Sequence, residues 1–394
     1  MRFRHPDGTT VHLAYCTNVH AAEQLDGVLE QLTAYAEPVR RRLHRDRLGI
    51  GLWLARDAAR TLTDDPAAVR RLRSGLDRAG LEVVTLNGFP YQGFGNEHVK
   101  YRVYRPDWTD DARLEHTTDL ARLLAALLPD DVREGSVSTL PLAWRTGFDA
   151  EARHRALTRL HTLAARLDAL EELTGRSIRV GLEPEPGCTV ETTADLVQAL
   201  AQEDGPPAHR IGGCLDTCHL ATAFEDPAKA LAALAEAGLP VVKSQLSAAL
   251  HAEHPDRPEV RAALAEFAEP RFLHQTRAPH TPDGTLRATD DLDRALAPGA
   301  LPTTGPWRSH FHVPLHAPLD PPLTATTDVL GETLGHLVGG PTPLTRHLEV
   351  ETYTWQALPA ALRPTTRAQL ADGLAAELST ARDLLTGLGL KELP

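Results

Sequence analysis

Along residues 11–248, seven short apolar stretches alternate with longer amphipathic ones. The pattern predicts strands over 11–19, 48–55, 82–89, 135–142, 178–185, 211–217 and 240–248. It predicts helices over 21–44, 65–80, 109–129, 150–174, 192–203 and 226–238. Repeated strand–helix units specify a parallel sheet covered by helices, because a parallel neighbour is reached only through a crossover. No glycine-rich phosphate fingerprint follows the first strand. Seven units in one run therefore favour a closed (β/α)8 TIM barrel over an open doubly wound sheet.

The alternation breaks after residue 250. Stretches 271–276 and 310–315 read as short strands, forming a hairpin outside the barrel. Stretch 346–355 reads as the eighth barrel strand, and a helix over 365–387 closes the chain. The expected organisation is a single domain over 1–394, with 250–345 an insertion before the last strand. Such a length suits one large α/β barrel, and 42% apolar residues suffice for its core.

The net charge of −12 argues against nucleic acid as a partner, since neutralising phosphates needs a basic face. No apolar run is long enough to span a membrane, and no apolar stretch follows the first basic residues. Four scattered cysteines, Cys16, Cys188, Cys214 and Cys218, read as reduced thiols, so a cytoplasmic setting is expected.

In a barrel of this kind the active site lies at the C-terminal ends of the strands. Polar residues collect there. The first strand ends in Asn18 and His20, the third in Asn87, the fifth in Glu183 and Glu185, and the sixth in Asp216 and His219. The seventh carries Lys243 and Gln245, and the eighth Glu349 and Glu351. Two of the three asparagines of the chain stand at strand ends. Alternation places Glu183 and Glu185 on one inward face, and Glu349 and Glu351 on another, without choosing within either pair. Glu183, Asp216 and Glu351 can converge at the barrel mouth. Three bare carboxylates there would repel, and a divalent cation (Mn²⁺, Zn²⁺ or Mg²⁺) relieves that. Gln245 or His312 would complete the ligand set. Arginine pairing is the structural alternative. Lys243, one of only four lysines, either pairs with a carboxylate or stabilises an enediolate.

The segment 89–108 holds six of the 19 aromatic residues: Phe89, Tyr91, Phe94, Tyr101, Tyr104 and Trp108. It also holds Gly93 and Gly95. A long aromatic loop at the active face is a candidate lid.

Glu183 in GLEPEPG, the Asp216-x-x-His219 motif 33 residues later and a Glu on the last strand resemble the xylose isomerase-like TIM-barrel superfamily of sugar isomerases and epimerases. The strings AYCTNVH, LNGFPYQGF, VYRPDW, GSVSTLPL, DTCHLA, KSQLSAAL, HFHVPL and LEVETYTW are similar to the EboE family of metabolite traffic proteins. The resemblance implies metal ligation by Glu183, Asp216 and Glu351, and substrate contact by His219. It lacks the usual strand-seven histidine, where Gln245 stands. It also implies a small-metabolite pathway and a sugar, polyol or cyclitol substrate.

The resulting expectation is a metal-dependent isomerase or epimerase working through an enediolate. Glu183, Glu351, Lys243 and His219 would be catalytic. Asn18, His20, Asn87, Glu185, His274 and His310 would contact substrate. A homodimer is a candidate assembly. The alternatives are a non-catalytic metabolite carrier and a metal-dependent phosphoester hydrolase.

Overall fold

The computed structural model describes residues 1–280, 285–317 and 319–394. Eight parallel strands close on themselves: Thr10–Cys16, Leu48–Trp53, Leu81–Asn87, Glu134–Thr139, Ser177–Leu182, Ile211–Asp216, Val241–Leu246 and His347–Val350. The last strand pairs with both the seventh and the first, so the ring has no open edge. The alternation seen in the sequence is the cause. On the fifth strand Ile178, Val180 and Leu182 are fully buried in the apolar core. The intervening positions, and with them the chemistry, are thereby turned toward the barrel axis.

Local signals set the helix ends. Asp149 caps the helix Ala150–Thr174, and Gly175 ends it in the left-handed region at φ 66. The expected helix over 21–44 is interrupted: Leu25–Gln31 and Glu37–Arg42 flank a π-helical turn at Leu32–Ala36. Pro38 has no N–H to give to the turn before it, so the regular ladder cannot run through. A strand at Arg2–Arg4 pairs with the first barrel strand and with Lys391–Glu392.

The insertion differs in detail from the sequence expectation. It forms a small antiparallel sheet of Leu250–Ala252, Thr276–Pro279, Leu286–Thr289, Trp307–Ser309 and Thr324–Ala325. Thr276–Pro279 and Trp307–Ser309 do pair, but each is displaced from the expected strand. Residues 310–315 are not a strand. They leave the ladder after Ser309 and cross to the barrel, where the Val313 N–H donates to the Ala248 carbonyl at 2.9 Å. The parts of the insertion at 281–284 and 318 lie outside the described residues. The eighth strand is also shorter than expected, since a 3-10 turn follows at Tyr353–Gln356.

Candidate active site and metal centre

Asp216 ends the sixth strand and caps the short helix Thr217–Thr222. Its Oδ1 accepts from the N–H groups of Cys218 (2.7 Å) and His219 (3.0 Å) and from Ser247 Oγ (2.6 Å). These bonds fix the carboxylate and leave Oδ2 buried with no hydrogen-bond partner among the described residues. Glu183 stands one residue past the fifth strand, and its Oε2 is likewise buried without a partner. Glu351 stands one residue past the eighth strand. Its Oε1 accepts from the side-chain amides of Asn18 (2.7 Å) and Asn87 (2.8 Å). One oxygen each from Glu183, Asp216 and Glu351 lies within 4.8 Å of the others. Burial, and then the neighbouring carboxylates, push the carboxyls of Glu183 and Glu351 well above the usual range.

Beside the carboxylates stand three imidazoles. The His219 Nδ1–H donates to the Pro184 carbonyl at 2.8 Å, and the His312 Nδ1–H to the Glu351 carbonyl at 2.6 Å. The His310 Nδ1–H donates to Gln275 Oε1 at 2.9 Å. That amide is oriented by its NH2 group, which donates to the Pro186 carbonyl and the Tyr104 hydroxyl, each at 2.8 Å. With every Nδ1 donating, the Nε2 atoms carry lone pairs. Those atoms converge: His219 to His310 at 3.0 Å, and His310 to His312 at 3.2 Å. Burial, then the neighbouring imidazoles, hold His310 well below the usual histidine value, and burial lowers His312 to about 4.

This donor set fits divalent cations. Orphaned carboxylate oxygens meet inward-turned ring nitrogens, and each ring is held from behind by the hydrogen bond that its Nδ1–H donates. His312 Nε2 lies 3.9 Å from Asp216 Oδ2, and His312, His219 and Asp216 form a further group that shares Asp216 with the three carboxylates. Another group is formed by Glu185, His219 and His310, with His219 Nε2 at 3.2 Å from Glu185 Oε2.

The mouth cavity is lined on the polar side by Asn18, Asn87, Glu183, Glu185, His219, His310, His312 and Glu351. Phe89, Phe94, Val99, Val103 and Tyr104 of the aromatic loop line the other side, with Phe272 and Tyr353. Phe94, Phe272 and Tyr353 pack together with ring centroids 4.9–5.4 Å apart. Tyr91 instead packs on His116, and Tyr101 on Trp144, outside the cavity. Arg113 ties both ends of this loop, donating to the carbonyls of Gly88 (2.8 Å), Phe89 (3.0 Å) and Pro106 (2.9 Å).

Five sequence candidates, Asp216, Lys243, His20, His274 and Gln245, do not line the cavity. Lys243 is fully buried with its Nζ 2.5 Å from Glu349 Oε2. Burial works against its charge, but Glu349 outweighs this and raises its pKa. Glu349 in turn fills the space beside Gly51, where a Cβ would lie 2.1 Å from its carboxyl group. His20 bonds to the Tyr15 hydroxyl at 3.1 Å and stacks on Tyr35. His274 stands behind His310, whose carbonyl its ring bonds at 2.9 Å, and bonds Glu269 at 2.8 Å. Gln245 is in register with both Asp216 and Glu349, and neither polar atom of its side-chain amide has a hydrogen-bond partner among the described residues.

Sequence reasoning missed Tyr353 and Gln275 as parts of the site, and named Tyr104 only as one of the aromatics of the loop. Tyr353 belongs to the LEVETYTW string and could have been found there. Its hydroxyl reaches His310 Nε2 at 3.4 Å. The Tyr104 hydroxyl donates to Glu185 Oε1 at 2.8 Å. Gln275 carried no signal.

A family model described as a xylose isomerase-like TIM barrel matches residues 49–248. No curated protein matches the chain in sequence. Among solved structures, a D-allulose 3-epimerase from Methylomonas sp., in complex with D-allulose, is 12% identical with a TM-score of 0.46, covering 95% of this chain and 96% of that one. An IOLI protein with a zinc atom is 13% identical with a TM-score of 0.45, covering 96% and 99%. A family 2 AP endonuclease from Brucella melitensis is 16% identical with a TM-score of 0.37, covering 60% and 78%. The family match spans half the chain and takes in the second to seventh barrel strands, and on it this chain belongs to the xylose isomerase-like TIM-barrel family.

Proposed function

We propose that this chain is a metal-dependent isomerase or epimerase of a keto-sugar, polyol or cyclitol. One observation carries the reading: Glu183, Asp216 and Glu351 bring buried, incompletely bonded carboxylates to one point beneath an apolar roof. Glu183 and Glu351 come from strands that are not neighbours, so a substrate carbon between them would present one face to each. One carboxylate removes the proton next to a carbonyl, and the other returns a proton, giving the isomer. A divalent cation held by Glu183, Asp216, His312 and Glu351 would supply polarisation of the adjacent oxygens.

The remaining groups hold parts in place. Asn18 and Asn87 fix Glu351 through its Oε1, which aims the second oxygen. His219, Glu185 and the Tyr353 hydroxyl stand where substrate oxygens would need partners. Phe89, Phe94 and Phe272 exclude water, which protects an enediolate from side reactions. The EboE resemblance adds a setting, small-metabolite synthesis or traffic, in which such a step would serve.

The test is hydrogen exchange. Protein loaded with Mn²⁺ or Zn²⁺ is incubated with a panel of ketoses and inososes in D2O, and C–H loss is followed by NMR. Exchange that disappears in both Glu183→Gln and Glu351→Gln supports the reading. Absence of exchange across the panel, with metal bound, argues for a carrier.

A second reading, phosphoester hydrolysis, is favoured by the three converging Nε2 atoms, which can hold a further cation next to the carboxylates. Two or more metal ions per chain together with phosphate release from a generic phosphoester would select it.

A further inference from the structure

The last helix, Arg367–Gly387, covers the outside of the barrel and contributes nothing to the lining of the mouth. It nevertheless carries a carboxylate, Glu377, that is fully buried. Among the described residues no cation pairs with it. Its partners are three donors. Oε1 accepts from the Leu315 N–H at 3.0 Å and from Thr352 Oγ1 at 2.6 Å, and Oε2 accepts from Trp355 Nε1 at 3.0 Å. Burying a carboxylate is costly unless its oxygens are bonded, and an apolar side chain would fill the same place more cheaply. The arrangement calls for a reason.

The donors belong to two segments far apart in sequence, and both lead into the mouth. Leu315 follows the segment that carries His310 and His312. Thr352 and Trp355 flank Tyr353 and directly follow Glu351. The two segments are also tied to each other. The His312 Nδ1–H donates to the Glu351 carbonyl at 2.6 Å, and the Thr354 hydroxyl donates to the His312 carbonyl. Trp355 is seated on the same helix one turn earlier, where a Cβ on Gly373 would lie 2.4 Å from its ring. Gly373 and Glu377 thus share one face, the first making room for the indole and the second bonding its N–H.

We propose that Glu377 is a positioning residue for this site: by holding 312–315 and 351–355 against one helix, it sets His312 and Glu351 relative to each other. The inference rests on the reading that these two residues belong to the metal centre. Burial pushes the Glu377 carboxyl up to about 7, which agrees with a group kept at some cost to stability.

The experiment compares wild type with Glu377→Gln and with Glu377→Gln/Trp355→Phe. Glutamine offers one acceptor oxygen and one NH2 group, so one of the three donors then faces another donor. The phenylalanine removes that donor and should restore the fit. Two quantities are read: the Mn²⁺ dissociation constant by EPR, and the downfield ring N–H proton of His312 in metal-free protein, assigned by its loss in His312→Gln. Glu377→Gln should weaken Mn²⁺ binding about tenfold or more, as removal of such supporting partners does, and should broaden or abolish the His312 signal. Both should recover in the double variant. If Glu377→Gln fails to fold, Gly373→Ala displaces the same indole from the other side and should produce the same two changes. Unaltered Mn²⁺ affinity and an unaltered ring proton in Glu377→Gln overturn the proposal, as does a double variant that recovers neither. Should wild type bind no Mn²⁺, the metal reading fails, and the ring proton still decides for or against Glu377.

Discussion

Replacing Lys243 by Met separates the two roles that a lysine inside this barrel could have. Its Nζ lies 2.5 Å from Glu349 Oε2, and both side chains are fully buried. In the variant Glu349 would keep its burial and lose its counter-charge, a change that costs about 3–5 kcal/mol when the carboxylate stays ionised. The carboxyl group has an escape, which is to take up a proton. From the ordinary carboxyl value of ~4.3, that costs about 3.7 kcal/mol at pH 7 and only about 1 kcal/mol at pH 5. The expected destabilisation is therefore about 3–4 kcal/mol at pH 7, shrinking roughly fourfold at pH 5. With an unfolding entropy of about 2.1 cal/mol/K per residue over 394 residues, the midpoint should fall by roughly 4–5 °C at pH 7 and about 1 °C at pH 5. Calorimetry at the two pH values checks this. Lys243→Met/Glu349→Gln, which removes both charges, should regain most of the loss. A variant melting at the wild-type temperature at pH 7, or losing equal stability at both pH values, refutes the charge argument. Wild-type stability combined with lost turnover would assign Lys243 to the reaction.

Glu183→Gln and Asp216→Asn should each remove most of the bound metal, measured as ions per chain after dialysis, because each deletes a charged oxygen that is orphaned in the structure. Arg113→Met should free both ends of the aromatic loop. Amide exchange over 88–106 should accelerate, with a stability loss of about 2–4 kcal/mol for three bonds from a cationic donor. In wild type, amides of 89–104 should exchange more slowly when a ligand fills the mouth, since Phe89, Phe94 and Tyr104 line it. Glu377 also gives a pH dependence. Its folded value of about 7 exceeds the ordinary 4.5, so the folded state holds the proton more tightly. The favourable contribution is fully present below the unfolded value and is lost as pH rises through about 7. In urea titrations between pH 5 and 8, wild type should lose up to about 3 kcal/mol relative to Glu377→Gln.

Much of the barrel and of the carboxylate cluster is written in short-range sequence pattern. Inward and outward positions alternate along each strand, so Glu183, Asp216 and Glu351 could be placed on the axis from their apolar neighbours alone. The same rule cannot tell Glu349 from Glu351, because residues two apart share a face. Depth distinguishes them. Glu349 lies inside the strand, against Lys243 and Gly51, whereas Glu351 lies past its end, where Asn18 and Asn87 hold it at the mouth. Strand ends are the least legible part of a periodic pattern, and here two residues of difference separate an internal ion pair from a carboxylate at the mouth.

The histidines show a different limit. The segment 310–315 has the alternation of a strand, with Phe311 and Val313 on one side and His310 and His312 on the other. The structure uses that alternation without a ladder: Phe311 and Val313 are fully buried in the core, and the two imidazoles turn to the mouth. Periodicity reports which side chains share a face, not what the backbone pairs with. What holds the segment extended is a set of partners no local pattern could reveal: Gln275 on one ring, the Glu351 carbonyl on the other, and Glu377 beneath Leu315. On the proposed reading, a distant insertion would supply the imidazole that the seventh strand lacks. The insertion and the last helix must dock correctly before His310 and His312 face the barrel mouth. Assembly of the site is in this way a consequence of tertiary packing, and perturbing that packing from the outside, at Gly373 or Glu377, should be felt at His312 before it is felt in the barrel.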